Sequence, residues 1–193
     1  MVKKKARTKE NYTIISPKIF GEKEIGLTLA SEPKLLIGRK IVLSALELTE
    51  NVNKYYLKFL FKINKVEKNK AFTEFHGIEC LQDYISRMVV RRVRRIDVVQ
   101  DLMTKDNTKL RIKSICIVSR KAKSSVQAII GKKIKEVIKQ HVETNGLDDF
   151  IKSLISDEIK SKVLTEARKI YPIKNFEIRK VEVLSAKEMA QQS

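Results

Sequence analysis

Between Asn11 and Cys80 the apolar residues come in short runs, broken by Pro17, Gly21, Gly26, Pro33 and Gly38. "YTIIS", "KIFG", "IGLTLA", "RKIVLSALEL", "YYLKFLFKIN" and "KAFTEFHGIEC" are rich in branched and aromatic residues, the composition of strands. In "YLKFLFKI", Leu57, Phe59, Phe61 and Ile63 fall on one side of an extended chain. Tyr56, Lys58, Leu60 and Lys62 fall on the other, because successive strand side chains point to opposite faces. From Leu81 the spacing turns helical, through Tyr84, Ile85, Met88 and Val89. The run "RMVVRRVRRID" continues that pattern. At about 100° per residue, Arg87, Arg91, Arg94 and Arg95 share an arc opposite the apolar stripe. This predicts a helix over residues 81–91, ending among these arginines.

Downstream, "IDVVQDLMT" returns to strand character. A hairpin is expected to turn at Asp106-Asn107, where asparagine tolerates a positive φ. Its second strand places Lys109, Arg111 and Lys113 on one face, with Leu110, Ile112, Cys116 and Val118 on the other. Val126, Ile130, Ile134, Val137, Ile138 and His141 then form a helical stripe, capped by Ser124 or Ser125 and ended at Gly146. Two shorter helices are expected over 148–155 and 157–171, stopped by Pro172, and "FEIRKVEVL" is a last strand that must pair.

The pattern predicts an α+β fold. Residues 13–120 form a mostly antiparallel β-barrel with the helix inserted. Residues 121–193 form a C-terminal α/β segment that packs on it and ends in a strand. Residues 1–12 are expected to be a basic, disordered arm.

Charge changes the picture most. The 193 residues carry 41 Lys+Arg against 23 Asp+Glu, a net +18, which a compact fold tolerates best beside a polyanion. The excess is clustered. Lys3, Lys4, Lys5, Arg7 and Lys9 crowd the arm, and five arginines lie within residues 87–97. Ten basic residues between Lys109 and Lys139 face a single acid, Glu136. Clustering of this kind is the footprint of nucleic-acid binding. There is no Trp, and most of the five Tyr and seven Phe occupy strand-core positions, which argues against a stacking platform for single strands. Tyr55 and Tyr56 are the exceptions to weigh.

Catalytic chemistry is sparse. His76 and His141 have no second His or Cys at ligand spacing, so neither a metal nor a cofactor is expected. No glycine-rich phosphate loop is present. Asp97, Asp101 and Asp106 could serve a nuclease, but pairing with nearby Arg and Lys is the simpler use. Cys80 and Cys116 are expected to be buried, reduced thiols of a cytosolic chain. No apolar run approaches the roughly 20 residues of a membrane span, and "MVKKKARTKE" lacks the apolar segment of a secretory signal.

"LIGRKIVLSALEL", "FHGIECLQDYISRMVVRRVRRID", "DLMTKDNTKLRIK", "SRKAKSSVQAI" and "KIYPIKNFEIRKVEVL" together resemble one family. It is the archaeal and eukaryotic small-subunit ribosomal protein family called eukaryotic-type S-one, formerly S-three-a-e. The likeness runs in order from about Tyr12 to Leu184, and the "RRVRRI" form is closer to the archaeal branch. Asp106-Asn107-Thr108 departs from the usual Asp-Gly-Tyr of the hairpin. The resemblance implies a non-enzymatic constituent of the cytoplasmic small subunit, on its platform near the mRNA exit. Its implied partners are rRNA, neighbouring ribosomal proteins and mRNA near the exit, with no membrane. Arg39, in the matching Gly38-Arg39 pair, joins Lys3, Lys4, Lys5, Arg7, Lys9, Arg87, Arg91, Arg94, Arg95, Lys109, Arg111, Lys113, Arg120, Lys121 and Lys123 as expected RNA contacts. A free-standing, sequence-selective RNA-binding regulator is the alternative.

Overall fold

A computed structural model describes residues 9–49, 51–119 and 121–184. The chain forms two compact units, Met1–His76 and Gly77–Ser193. Lys3, Lys4, Lys5, Arg7 and Arg120 lie outside the described residues, as does most of the expected basic arm.

The first unit contains β1 (Glu10–Ile15), β2 (Glu24–Ala30), β3 (Lys40–Ser44), α1 (Ala45–Thr49), β4 (Leu57–Glu67) and the start of β5 (Lys70–Cys80). β1 pairs antiparallel with β2 and parallel with β5, and β4 pairs with both β3 and β5. The alternation of "YLKFLFKI" is realised: Leu57, Phe59, Phe61 and Ile63 are buried while Lys58 is exposed. Lys18–Phe20 form a 3-10 turn closed at Gly21 rather than a strand, and Phe20 meets Phe59 and Phe61 edge-on, with ring centroids 5.0 and 5.6 Å away. Of the two tyrosines, Tyr56 is buried and Tyr55 is 47% exposed, packed edge-on against it.

The second unit contains the end of β5, then α2 (Gln82–Met88), β6 (Val93–Met103), β7 (Lys109–Ser119), α3 (Ser124–Thr144), α4 (Leu147–Ile155), α5 (Glu158–Arg168) and β8 (Ile173–Val183). Its antiparallel sheet runs β5-β8-β7-β6. The last strand is therefore paired on both sides. The hairpin turns where expected, with Asn107 at φ 57°. Ile130, Ile134, Ile138 and Val142 of α3 are fully buried, and α3 packs on β6 and α5 on β8.

Three expectations are corrected. The fold is α+β, but the strands do not close into a barrel: among the described residues β2, β3 and β6 each pair on one side only. In the second unit α3 and α5 cover the apolar strand residues, so helices bury what barrel closure would have buried. The inserted helix stops at Met88, and Arg94 and Arg95 belong to β6. Val89 and Val90 are poor helix formers, and a longer helix would stack Arg87, Arg91 and Arg95 at like-charged i,i+4 spacing. Arg92 instead takes φ 65°, a left-handed conformation that costs about 1 kcal/mol and turns the chain into β6. Finally, Lys123 rather than a serine occupies the N-cap of α3, with no side-chain cap.

Cys80 and Cys116 are free and buried. Burial pushes both thiols up to about 12, with Glu177 adding to the effect at Cys80. A disulfide-exchange reagent at pH 8 should modify the native chain only at the rate of unfolding, because the thiolate is the attacking species. Rapid labelling of either thiol without loss of structure would contradict this.

Candidate nucleic-acid interface

The pairing of β6 with β7 is continuous from Val93↔Ser119 to Met103↔Lys109. One end of this hairpin therefore carries the α2–β6 turn beside the start of the β7–α3 junction. Arg91 and Arg92 of that turn and Lys121 and Lys123 of that junction are all exposed, as is Arg87 in the last turn of α2. None of these five has a carboxylate partner among the described residues. Lys132 and Lys135, also exposed, line a cleft of ≈ 290 Å³ where α3 lies over Ile96, Asp97 and Val98.

The hairpin cations lie further along the sheet. Lys113 is six residues before Ser119, or about 20 Å at strand rise. Lys109, Arg111 and Lys113 do share a face, with Leu110 and Ile112 buried behind them. That face is also acidic. Arg111 donates two bonds to Asp101 across the ladder, Nε to Oδ1 at 2.8 Å and Nη2 to Oδ2 at 2.9 Å. The bonds from Arg111 hold the Asp101 carboxyl below the usual range. Lys113 and Lys180 clasp Glu182 at 3.0 and 2.9 Å, and Lys180 also lies 3.9 Å from Glu79. Arg95 donates from Nε and Nη2 to Asp97 at 3.0 and 2.8 Å.

The arginines and hairpin lysines therefore do not form one uniform basic surface. A cationic end, without carboxylate partners among the described residues, is set apart from a charge mosaic whose cations and carboxylates nearly balance. Arg94 is exposed in β6. In the first unit Lys9 and Arg39 are exposed, and Arg39 donates to Thr28 Oγ1 at 2.5 Å.

The same bonds occupy the acidic residues weighed for hydrolysis. Asp97 and Asp101 hold arginines, while Asp106 accepts the Leu147 backbone N–H at 2.8 Å. Among the described residues no group of three His, Cys, Asp or Glu is placed to hold a metal.

Sequence reasoning missed the fastening of α2. Glu177 of β8 is buried, accepts the Tyr84 hydroxyl of α2 at 3.1 Å, and pairs with Lys160 of α5. Only an acid at an inward position of "FEIRKVEVL" could have signalled it. Burial raises the Glu177 carboxyl above the usual range, against the pull of Lys160 and Tyr84. A raised carboxyl favours the folded state most at low pH, and that contribution is lost as pH rises through its folded value. Glu177→Gln keeps the Tyr84 contact and removes this titration. The melting temperature of the variant minus that of the unsubstituted chain should therefore increase from pH 4 to pH 8. A difference that shrinks over this range would reverse the assignment.

Comparison with known proteins bears on the family of the chain. The family model described as the ribosomal S3Ae family matches residues 1–187. Relatives named small ribosomal subunit protein eS1 match over nearly the whole length. That of Methanopyrus kandleri is 36% identical over 188 residues, 95% of this chain and 89% of the relative. That of Methanothermobacter thermautotrophicus is 35% identical over 178 residues, 92% and 91% of the two chains. That of Sulfolobus acidocaldarius is 33% identical over 186 residues, 96% and 94%. With the model spanning both units and every basic segment described above, this chain belongs to the ribosomal S3Ae family.

Proposed function

We propose that this chain is a structural, non-enzymatic constituent of the small ribosomal subunit, bound to its rRNA at the platform near the mRNA exit. The observation that carries the reading is the family match over residues 1–187. The location on the platform, and contact with mRNA there, rest on the resemblance alone. Neighbouring small-subunit proteins complete the partners.

The basic end of the β6–β7 hairpin supports rRNA as the main partner. Arg87, Arg91, Lys121 and Lys123 are exposed, with no carboxylate partner among the described residues, so each can lie against a phosphate. Arginine suits this role because its planar fork donates in pairs. Folded RNA is recognised largely through phosphate, 2′-OH and shape, which needs no exposed aromatic platform. Arg94, Lys9 and Arg39 are proposed as further contacts. Arg95, Lys109, Arg111 and Lys113 are proposed as contacts that share their charge with neighbouring carboxylates.

Two measurements test the reading. The chain should co-sediment with small subunits in a sucrose gradient. Its affinity for small-subunit rRNA should fall linearly with salt on logarithmic axes, as counterions displaced from phosphates return. A chain found only in the ribosome-free fractions, binding one short RNA sequence with a shallow salt slope, would be the free-standing regulator instead.

A further inference from the structure

Between α2 and strands β6 and β8 lies a second cleft of ≈ 290 Å³, lined by Gln82, Ile85, Ser86, Val89, Arg95 and Arg179. We infer that this cleft receives one unstacked base of small-subunit rRNA. The inference rests on the rRNA-binding reading above and adds to it a contact that reads a base rather than a phosphate.

Size and chemistry carry the argument. A cavity of about 150 Å³ is enough to hold a single six-membered aromatic ring. The cleft is about twice that, and suits a purine or pyrimidine with part of its ribose. Its wall is mixed. Ile85 is buried at 7% exposure and Val89 is 37% exposed, giving an apolar side. Gln82 and Ser86 are exposed on the same helix, and their side chains have no hydrogen-bond partner among the described residues. An amide offers both a donor and an acceptor, as the edge of a base requires, whereas a phosphate can use only the donor.

The two arginines differ in a way that favours a base. Asp97 fixes Arg95 through two bonds and offsets its charge, leaving an oriented guanidinium plane. Such a plane suits stacking on a base. Arg179 has no carboxylate partner among the described residues. It occupies an irregularity in β8: Lys113 pairs with Lys180 and Ser114 with Ile178, so Arg179 has no opposite residue in the ladder. An extra strand residue of this kind re-aims its side chain, and such bulges recur beside functional sites. The bonds from Tyr84 to Glu177 and from Asn175 to Met88 Sδ hold α2 over the same strand, so the cleft is formed before any ligand arrives.

The test uses the full chain bound at saturation to small-subunit rRNA, with chemical probing of base edges. The wild-type chain should protect the Watson–Crick edge of one unpaired nucleotide. Gln82→Ala with Arg179→Ala should restore its reactivity and weaken binding about tenfold, the worth of one stacked base. Arg91→Gln with Lys121→Gln, outside the cleft, should weaken binding but keep the protection at saturation. Circular dichroism and melting of both variants show that each is folded; if the alanine pair unfolds, Gln82→Glu with Arg179→Lys takes its place. An identical protection pattern for the wild-type chain and the folded cleft variant would overturn the inference while leaving rRNA binding intact. Absence of any rRNA binding would instead remove the proposed function itself. A loss of affinity that is fully recovered by lowering the salt, with no single nucleotide changing, would make the cleft a phosphate site and also overturn the inference.

Discussion

Replacing Gly77 with alanine should cost about 2–4 kcal/mol and lower the melting temperature by roughly 10 °C. Gly77 pairs with Glu182 where β5 meets β8. A Cβ built on it would run into the carbonyl oxygen of Val181, a backbone atom that cannot swing away. The backbone at Gly77 is not left-handed, so the cost comes from space and not from conformation. Relief requires β8 to move off β5, which opens a ladder only three residue pairs long and exposes Ile78 and Val181, now at 1% and 0% exposure. Hydrogen exchange should accelerate first at the amides of that ladder. Gly131→Ala is the matching control with the opposite sign. Its Cβ would sit 3.9–4.0 Å from the methyls of Ile96 and Val98, an ordinary contact. Alanine in a helix interior is favoured over glycine by about 1 kcal/mol. A Gly77→Ala chain that melts within 2 °C of the unsubstituted one would show that β5 and β8 are not this close.

How far these features were legible depends on whether their cause is local. The alternation of Leu57, Phe59, Phe61 and Ile63, the stripe of Ile130, Ile134 and Ile138, and the positive φ at Asn107 all follow from period and turn chemistry. The end of α2 was misjudged because the apolar and arginine spacings both continue past Met88. What stops the helix is a β-branched pair and like-charge crowding, which compete with the period. Barrel closure was misjudged because short alternating strands say which face must be covered and not what covers it. In the second unit the cover is α3 and α5. The candidate site showed in the sequence only as clustered charge. Its division into an exposed cationic end and a paired mosaic did not show, because the partners of Arg111 and Lys113 stand 10 and 69 positions away in the chain. Arg179 could not be singled out either, since a bulge is defined only against the neighbouring strand.

That division gives the last expected result its direction. Changing Arg87, Arg91, Lys121 and Lys123 together to glutamine should weaken rRNA binding about 10³-fold near 0.1 M salt. The logarithmic salt slope should become shallower by roughly three, at about 0.7–0.9 per phosphate released. Stability should hardly change, because all four side chains are exposed and lack carboxylate partners among the described residues. Exposed substitutions of this kind stay within about 0.5 kcal/mol. The comparison set is Arg111 and Lys113 changed to glutamine. Each of these already faces a carboxylate, Asp101 at 2.8 Å and Glu182 at 3.0 Å. Removing them releases acids that repel phosphate, so affinity falls while fewer counterions are involved. The slope should then change by about one or less, and the loss of the Asp101 and Glu182 pairings should appear as a small drop in melting temperature. Equal slope changes in the two sets would mean that the mosaic face lies on RNA as closely as the hairpin end. An unchanged slope in the fourfold variant would mean that the cationic end faces protein.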